Sequence, residues 1–153
     1  MKDTIQVKIK KVKKSNKESK IPLYATPGAA GADLFACLDK DVIVKPGERA
    51  QVPTGVAIEL PGPNLVALIF ARSGLASKKG LALSNGVGVV DSDFRGEIMV
   101  LMVNLGQEDV LIQNGDRIAQ MLFFDSYKAS FTEVEGLEDS LRGEGGFGST
   151  GPK

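Results

Sequence analysis

Short runs of alternating apolar and polar residues, separated by turn formers, extend over most of this chain. In residues 4–12, TIQVKIKKV, the side chains of Ile5, Val7 and Ile9 alternate with polar neighbours, the period of a strand with one buried face. Pro22 and Pro27 bracket an extended piece, and a small-residue run, Gly28 to Ala32, leads into a short strand at Asp33–Ala36. Val42–Val44 stops at Lys45-Pro46-Gly47, and Arg49–Val52 stops at Pro53. Thr54–Leu60 alternates Val56, Ile58 and Leu60 before Pro61-Gly62-Pro63. Leu65–Ala71 is almost wholly apolar, which predicts a central strand buried on both faces. Gly74–Lys79 is the one segment that predicts a helix, of one or two turns. Gly86–Val90, the polar turn Asp91-Ser92-Asp93 and a strand over Glu97–Leu105 predict a β-hairpin with acids at its tip. Asp109–Ile112 and Arg117–Phe124, joined through Asn114-Gly115, predict a second hairpin.

About ten short strands at this spacing, with 18 Gly and 7 Pro and no long helical period, predict an all-β sandwich or barrel. The chain of 153 residues suits one domain. The pattern weakens after Tyr127 into an acidic linker with Glu133, Glu135, Glu138 and Asp139, then into RGEGGFGSTG at 142–151. The expected division is a β domain over 1–141 and a flexible Gly-rich arm over 142–153.

Composition narrows the chemistry. The chain has no histidine, which excludes Ser-His-Asp and Cys-His catalysis and the usual zinc sites, and leaves a carboxylate, lysine or tyrosine as a base. Net charge is zero, so bulk electrostatics points to no nucleic-acid partner. The seven lysines between Lys8 and Lys20 read either as a phosphate-attracting patch or as a solvated strand end and loop. A single cysteine, Cys37, forms no internal disulfide and fits a reducing compartment. No stretch approaches the ~18 apolar residues of a membrane span, and the expected location is the cytoplasm.

Four pieces can carry chemistry. Asp91, held on a rigid turn, is a candidate general base, although Asp-Ser-Asp also favours turns for local hydrogen-bonding reasons. Arg72-Ser73-Gly74 sits where an apolar strand meets the short helix, and reads as a phosphate fork with a helix-start anion site or as a serine N-cap beside a surface arginine. In Gly115-Asp116-Arg117-Ile118-Ala119-Gln120, Asp116 and Arg117 are a candidate structural pair, and the Gln120 amide needs a ligand or backbone partner. Gly143-x-Gly145-x-x-Gly148 matches a dinucleotide-binding pattern without the βαβ context that reading requires. Arg142, Phe147, Ser149 and Thr150 suit instead a lid over a phosphate-bearing ligand with a flat ring.

Taken in order, Ala30–Ala36, Ala71–Leu75, Asn85–Glu97, Gly115–Gln120 and Arg142–Gly151 closely resemble the five motifs of the trimeric deoxyuridine triphosphatases (dUTPases). The resemblance runs from about Tyr24 to Gly151. It implies a jelly-roll-like β-barrel of the β-clip type, a homotrimer with active sites at subunit interfaces, and hydrolysis of dUTP to dUMP and diphosphate with Mg²⁺ on the triphosphate. That reaction keeps uracil out of DNA and supplies dUMP for thymidylate synthesis. In family terms Asp91 activates the attacking water. Asn85, Gly88, Val89 and Val90 line the uracil site, and Arg72, Ser73, Gly74 and Gln120 contact phosphates. Asp33 organises the metal through water. Arg142, Phe147, Gly148, Ser149 and Thr150 belong to the closing arm, with Phe147 stacking on uracil. Phe94 stands where the family commonly has tyrosine packed against deoxyribose, and Ala71 where it often has proline. The related dCTP deaminases need an acid–base group at cytosine C4; the Asp91 turn and the GGFGSTG arm favour hydrolysis.

Overall fold

Alternation along each strand decides which side chains meet, and the partners of each strand decide where the turns between them point. In the computed structural model, which describes residues 4–12 and 14–146, eleven strands and one helix occur in the order β1 (Lys8–Lys11), β2 (Ala32–Phe35), β3 (Val42–Val44), β4 (Arg49–Pro53), β5 (Val56–Glu59), β6 (Leu65–Ala71), α1 (Ser73–Lys79), β7 (Leu81–Leu83), β8 (Gly88–Val90), β9 (Met99–Asn104), β10 (Val110–Ile112) and β11 (Arg117–Asp125). Every pairing is antiparallel. The sheets are β2-β11-β6-β8, β4-β9-β7, β1-β5 and β10-β3. The architecture is all-β and jelly-roll-like, and the strands do not close into one continuous barrel among the described residues. No helix there is long and apolar enough to cross a membrane.

One core lies between the sheets. Leu34, Val52, Ile58, Ala67, Ile69, Leu81, Val90, Ile98, Val100, Met102, Ile112, Ile118 and Met121 belong to a single buried cluster. Asn104 is fully buried at the end of β9. Its amide donates to the Val44 and Glu108 carbonyls at 2.7 and 2.8 Å, and its Oδ1 accepts the Gly106 N–H at 2.8 Å. The helix ends at Gly80, whose left-handed φ of 67° is easiest for glycine. A Cβ there would lie 2.4 Å from the Gly106 nitrogen.

Three sequence expectations change. The stretch around Asp91 is not a hairpin: β8 pairs with β6, whereas β9 pairs with β4 and β7 in another sheet. Asp91–Phe94 forms the expected tight reversal, with the Phe94 N–H donating to the Asp91 carbonyl at 3.1 Å. Ile98, 2% exposed, then carries the chain across the core, its N–H bonded to the Val56 carbonyl at 2.9 Å. The Asn114-Gly115 turn likewise joins strands of different sheets, because β10 pairs with β3 and β11 with β2 and β6. Gly115 and Asp116 exchange backbone hydrogen bonds with Ala36, each at 2.8 Å, which hands β11 to the end of β2. A turn specifies reversal; free edges and burial specify the partner.

The third change concerns β6. It lies inside the four-stranded sheet, but only Ala67 and Ile69 are buried. The opposite face, with Val66, Leu68 and Phe70 beside Leu122, Phe124 and Val89, is partly open, and Val89 is 63% exposed. An antiparallel sheet with one solvent face ordinarily alternates apolar and polar residues; here the outer face is largely apolar as well, apart from the end near Gln120 and Asp33.

Candidate active site

At the C-terminal end of β6 the neighbouring strands deliver three polar groups to one place. Register puts Gln120 opposite both Asp33 on β2 and Phe70 on β6, and Arg72 follows directly after β6. Asp33, buried beside Gln120, is compensated by two guanidinium groups. Its Oδ1 lies 3.0 Å from Arg72 Nε, and its Oδ2 accepts from Arg117 Nη1 at 3.1 Å. Arg72 Nη1 also donates to the Arg117 carbonyl at 3.1 Å. One carboxylate thus holds two cations, leaving a local excess of positive charge at the mouth of a cavity of about 610 Å³. Asp33, Arg72, Ser73, Gly74, Arg117 and Gln120 all line it.

Two local readings are corrected. Ser73 is the first residue of α1 and not its cap; Arg72, extended at φ −86° and ψ 128°, occupies the cap position, and its carbonyl accepts the Leu75 and Ala76 N–H groups. The Ser73 hydroxyl therefore remains exposed beside the cavity. Asp116 and Arg117 do not pair, since Asp116 accepts the Gln113 N–H at 2.8 Å and Arg117 turns to Asp33. Gln120 takes the backbone partner, its Nε2 donating to the Ala71 carbonyl at 3.2 Å. Arg117 was missed as a site residue. No local signal in the sequence points to it, because the burial of Asp33 and its pairing with Arg117 across 84 positions are set by the fold.

A second cleft, about 260 Å³, gathers Asn85, Gly88, Val89, Val90, Asp91 and Phe94. Asp91 is exposed, and its carboxylate takes part in no ion pair among the described residues. Phe94 is 43% exposed. In the same cleft the Glu97 carboxylate, its side chain 6% exposed, accepts the Gly55 N–H at 2.9 Å and lies 3.5 Å from Lys14 Nζ. Lys8 and Lys11 are likewise paired, with Glu59 and Glu18, so these three lysines are engaged by acids of the same chain. Glu18 and Glu59 have pKa values below the usual carboxylate value, first through their hydrogen bonds from Lys11 and Lys8 and then through charge attraction.

Ile69 lines the second cleft and its neighbour Phe70 the first, but Asp91 and Arg72 themselves lie toward opposite ends of β6. Val90 pairs with Ala67, which puts Asp91 beside Val66. From Val66 to Arg72 the strand covers roughly 20 Å at ~3.3 Å per residue. Within one chain Asp91 and Arg72 are therefore well separated along the strand. Arg142, whose Nε donates to the Gly145 carbonyl at 2.8 Å, lines neither cleft. Phe147, Gly148, Ser149 and Thr150 lie outside the described residues.

Comparison with known proteins gives a consistent picture. The dUTPase family model matches residues 17–151. A deoxyuridine 5'-triphosphate nucleotidohydrolase of Desulfitobacterium hafniense is 54% identical over 97% of this chain and 98% of its own length. One from Tolumonas auensis is 49% identical over 96% of this chain and 97% of its own. Among solved structures, the Staphylococcus bacteriophage 80alpha dUTPase with dUpNHpp superimposes with a TM-score of 0.82 at 27% identity, covering 97% of this chain and 99% of that one.

Proposed function

The chain belongs to the dUTPase family, and on that basis we propose that it hydrolyses dUTP to dUMP and diphosphate. The observation that carries this reading is the guanidinium pair on Asp33, set with Ser73 and Gln120 around one cavity. Phosphoanhydride hydrolysis asks for charge neutralisation and an in-line water, with little covalent chemistry. Arg72, Ser73, Gly74 and Gln120 bind phosphate oxygens; the unassigned Arg117 adds a cation. Asp91 takes a proton from water as that water attacks the α-phosphorus. The bond from α-phosphorus to the bridging oxygen breaks, and diphosphate leaves with the bond's electron pair. Asn85, Gly88, Val89 and Val90 read uracil, rejecting cytosine because its amino group would leave polar groups unpaired.

The family resemblance implies a homotrimer with sites between subunits, and the separation of Arg72 from Asp91 along β6 fits sites that draw these two residues from different copies. Two further features support it. The outer face of β6 is apolar and open, and Tyr127, Phe131, Leu137 and Leu141 beyond β11 are each at least 90% exposed. Residues 1–141 act as the β domain and 142–153 as an arm that closes with Arg142, Phe147, Gly148, Ser149 and Thr150.

The donor set fits a magnesium ion carried in by the substrate. No group of three histidine, cysteine or acidic side chains that could hold a metal occurs among the described residues. Asp33 already faces two arginines, and its remaining lone pairs suit contact through water. When bound, Mg²⁺ neutralises triphosphate charge.

Diphosphate release measured across dUTP, dTTP, dCTP and UTP, with and without Mg²⁺, tests the assignment. Release confined to dUTP and dependent on Mg²⁺ is expected; ammonia released from dCTP would overturn it. Phe94 packs against the sugar in this reading, and the ring alone excludes a 2′-hydroxyl. Phe94→Tyr is therefore expected to change the dUTP/UTP selectivity ratio by less than about tenfold, and a larger change refutes that account.

A further inference from the structure

The turn that carries Asp91 crosses between two sheets, so strand pairing holds only its ends. β8 anchors one end on β6. At the other end, Glu97 accepts the Gly55 N–H and the Ile98 N–H reaches the Val56 carbonyl. The middle is held by the Phe94 N–H bond to the Asp91 carbonyl and by one side chain. Arg95 Nη1 donates to the Ser92 carbonyl at 2.8 Å and to the Phe94 carbonyl at 3.0 Å. Its Nε lies 3.9 Å from Glu59 Oε2, and Glu59 accepts from Lys8 at 2.8 Å. The guanidinium thus folds back over the turn and ties it to β5, and through Glu59 to β1.

We infer that Arg95 is a positioning residue that sets the direction of Asp91 by fixing the carbonyls of Ser92 and Phe94. The inference rests on the reading of Asp91 as the base. Arg95 is 53% exposed, so its loss opens no core cavity. The ion pair with Glu59 is exposed and contributes little to stability. A loosened turn, in contrast, moves the carboxylate relative to the attacked phosphorus, and small misplacements of reacting groups lower rates steeply. A single nitrogen makes both carbonyl contacts, so a lysine can replace much of the function.

The test compares the full chain with Arg95→Ala and Arg95→Lys by dUTP kinetics, thermal unfolding and amide hydrogen exchange over residues 91–97. Arg95→Ala is expected to lower kcat about tenfold, to leave KM within about twofold and to speed exchange in that segment. Arg95→Lys is expected to recover at least about a third of the rate, because it restores a donor at the same carbonyls. Unchanged exchange and kcat in Arg95→Ala overturn the inference. So does a parallel fall of kcat and Tm that lysine does not repair, which marks a general stabilising role. If the unaltered chain releases no diphosphate from dUTP, the hydrolase reading fails instead, and exchange still decides whether Arg95 orders the turn.

Discussion

Chains carrying Asp91→Asn and chains carrying Arg72→Ala are each expected to be nearly inactive alone and to regain activity when refolded together. Removing a positioned base costs about 10² to 10⁴ in rate, and Asp91→Asn leaves an amide that cannot take the water's proton. Arg72→Ala removes the proposed phosphate fork and frees one side of a buried carboxylate. If each site takes Arg72 from one copy and Asp91 from another, random mixing in equal amounts restores about a quarter of the sites. If both residues served from one chain, every mixed site would lack one of them and no activity would return. The β6 register makes the first outcome the expected one, because it separates the two residues along a strand too stiff to fold on itself. Diphosphate release from the co-refolded sample, measured beside each variant refolded alone, decides between them.

Asp33→Asn is expected to give the second large effect. The buried carboxylate holds Arg72 at 3.0 Å and Arg117 at 3.1 Å, and the neutral amide retains only one oxygen to accept from them. Two guanidinium groups then face each other without their counter-charge. The expected result is a fall in kcat/KM for dUTP of about 10²-fold, mostly through KM, as the arginines proposed to bind phosphate lose their fixed orientation. Because Asp33 also serves the metal's water shell in the proposed mechanism, the Mg²⁺ concentration for half-maximal rate should rise. A Mg²⁺ titration at saturating dUTP measures this. An unchanged midpoint with raised KM would leave Asp33 as a partner of arginines alone.

Strand positions were largely legible because a period of two, broken by Pro and Gly, is a local signal. Leu65–Ala71 and Val42–Val44 match the expected strands at both ends, and the expected helix gains only Ser73. Partners were less legible. Asp91-Ser92-Asp93 and Asn114-Gly115 both reverse the chain as their turn chemistry requires, yet neither closes a hairpin, because Ile98 and the backbone of Ala36 draw the following residues elsewhere. The same limit applied at the site. Asp33, Arg72 and Gln120 were identifiable by motif, whereas Arg117 was assigned to its sequence neighbour Asp116, since the Asp33 pairing spans 84 positions.

The turn around Asp91 shows where the division falls. By itself the sequence determined that a carboxylate would sit on a tight reversal after an apolar run, that histidine chemistry was excluded, and that the chain resembled the dUTPases through five ordered motifs. Those are properties of residue types and short spacings. Only the tertiary structure decided that Asp91 and Arg72 stand toward opposite ends of β6, that Asp33 gathers two arginines, and that the outer face of the sheet is largely apolar and open. Each depends on which distant strands share an edge, and that choice is made by burying one common core rather than by any local signal.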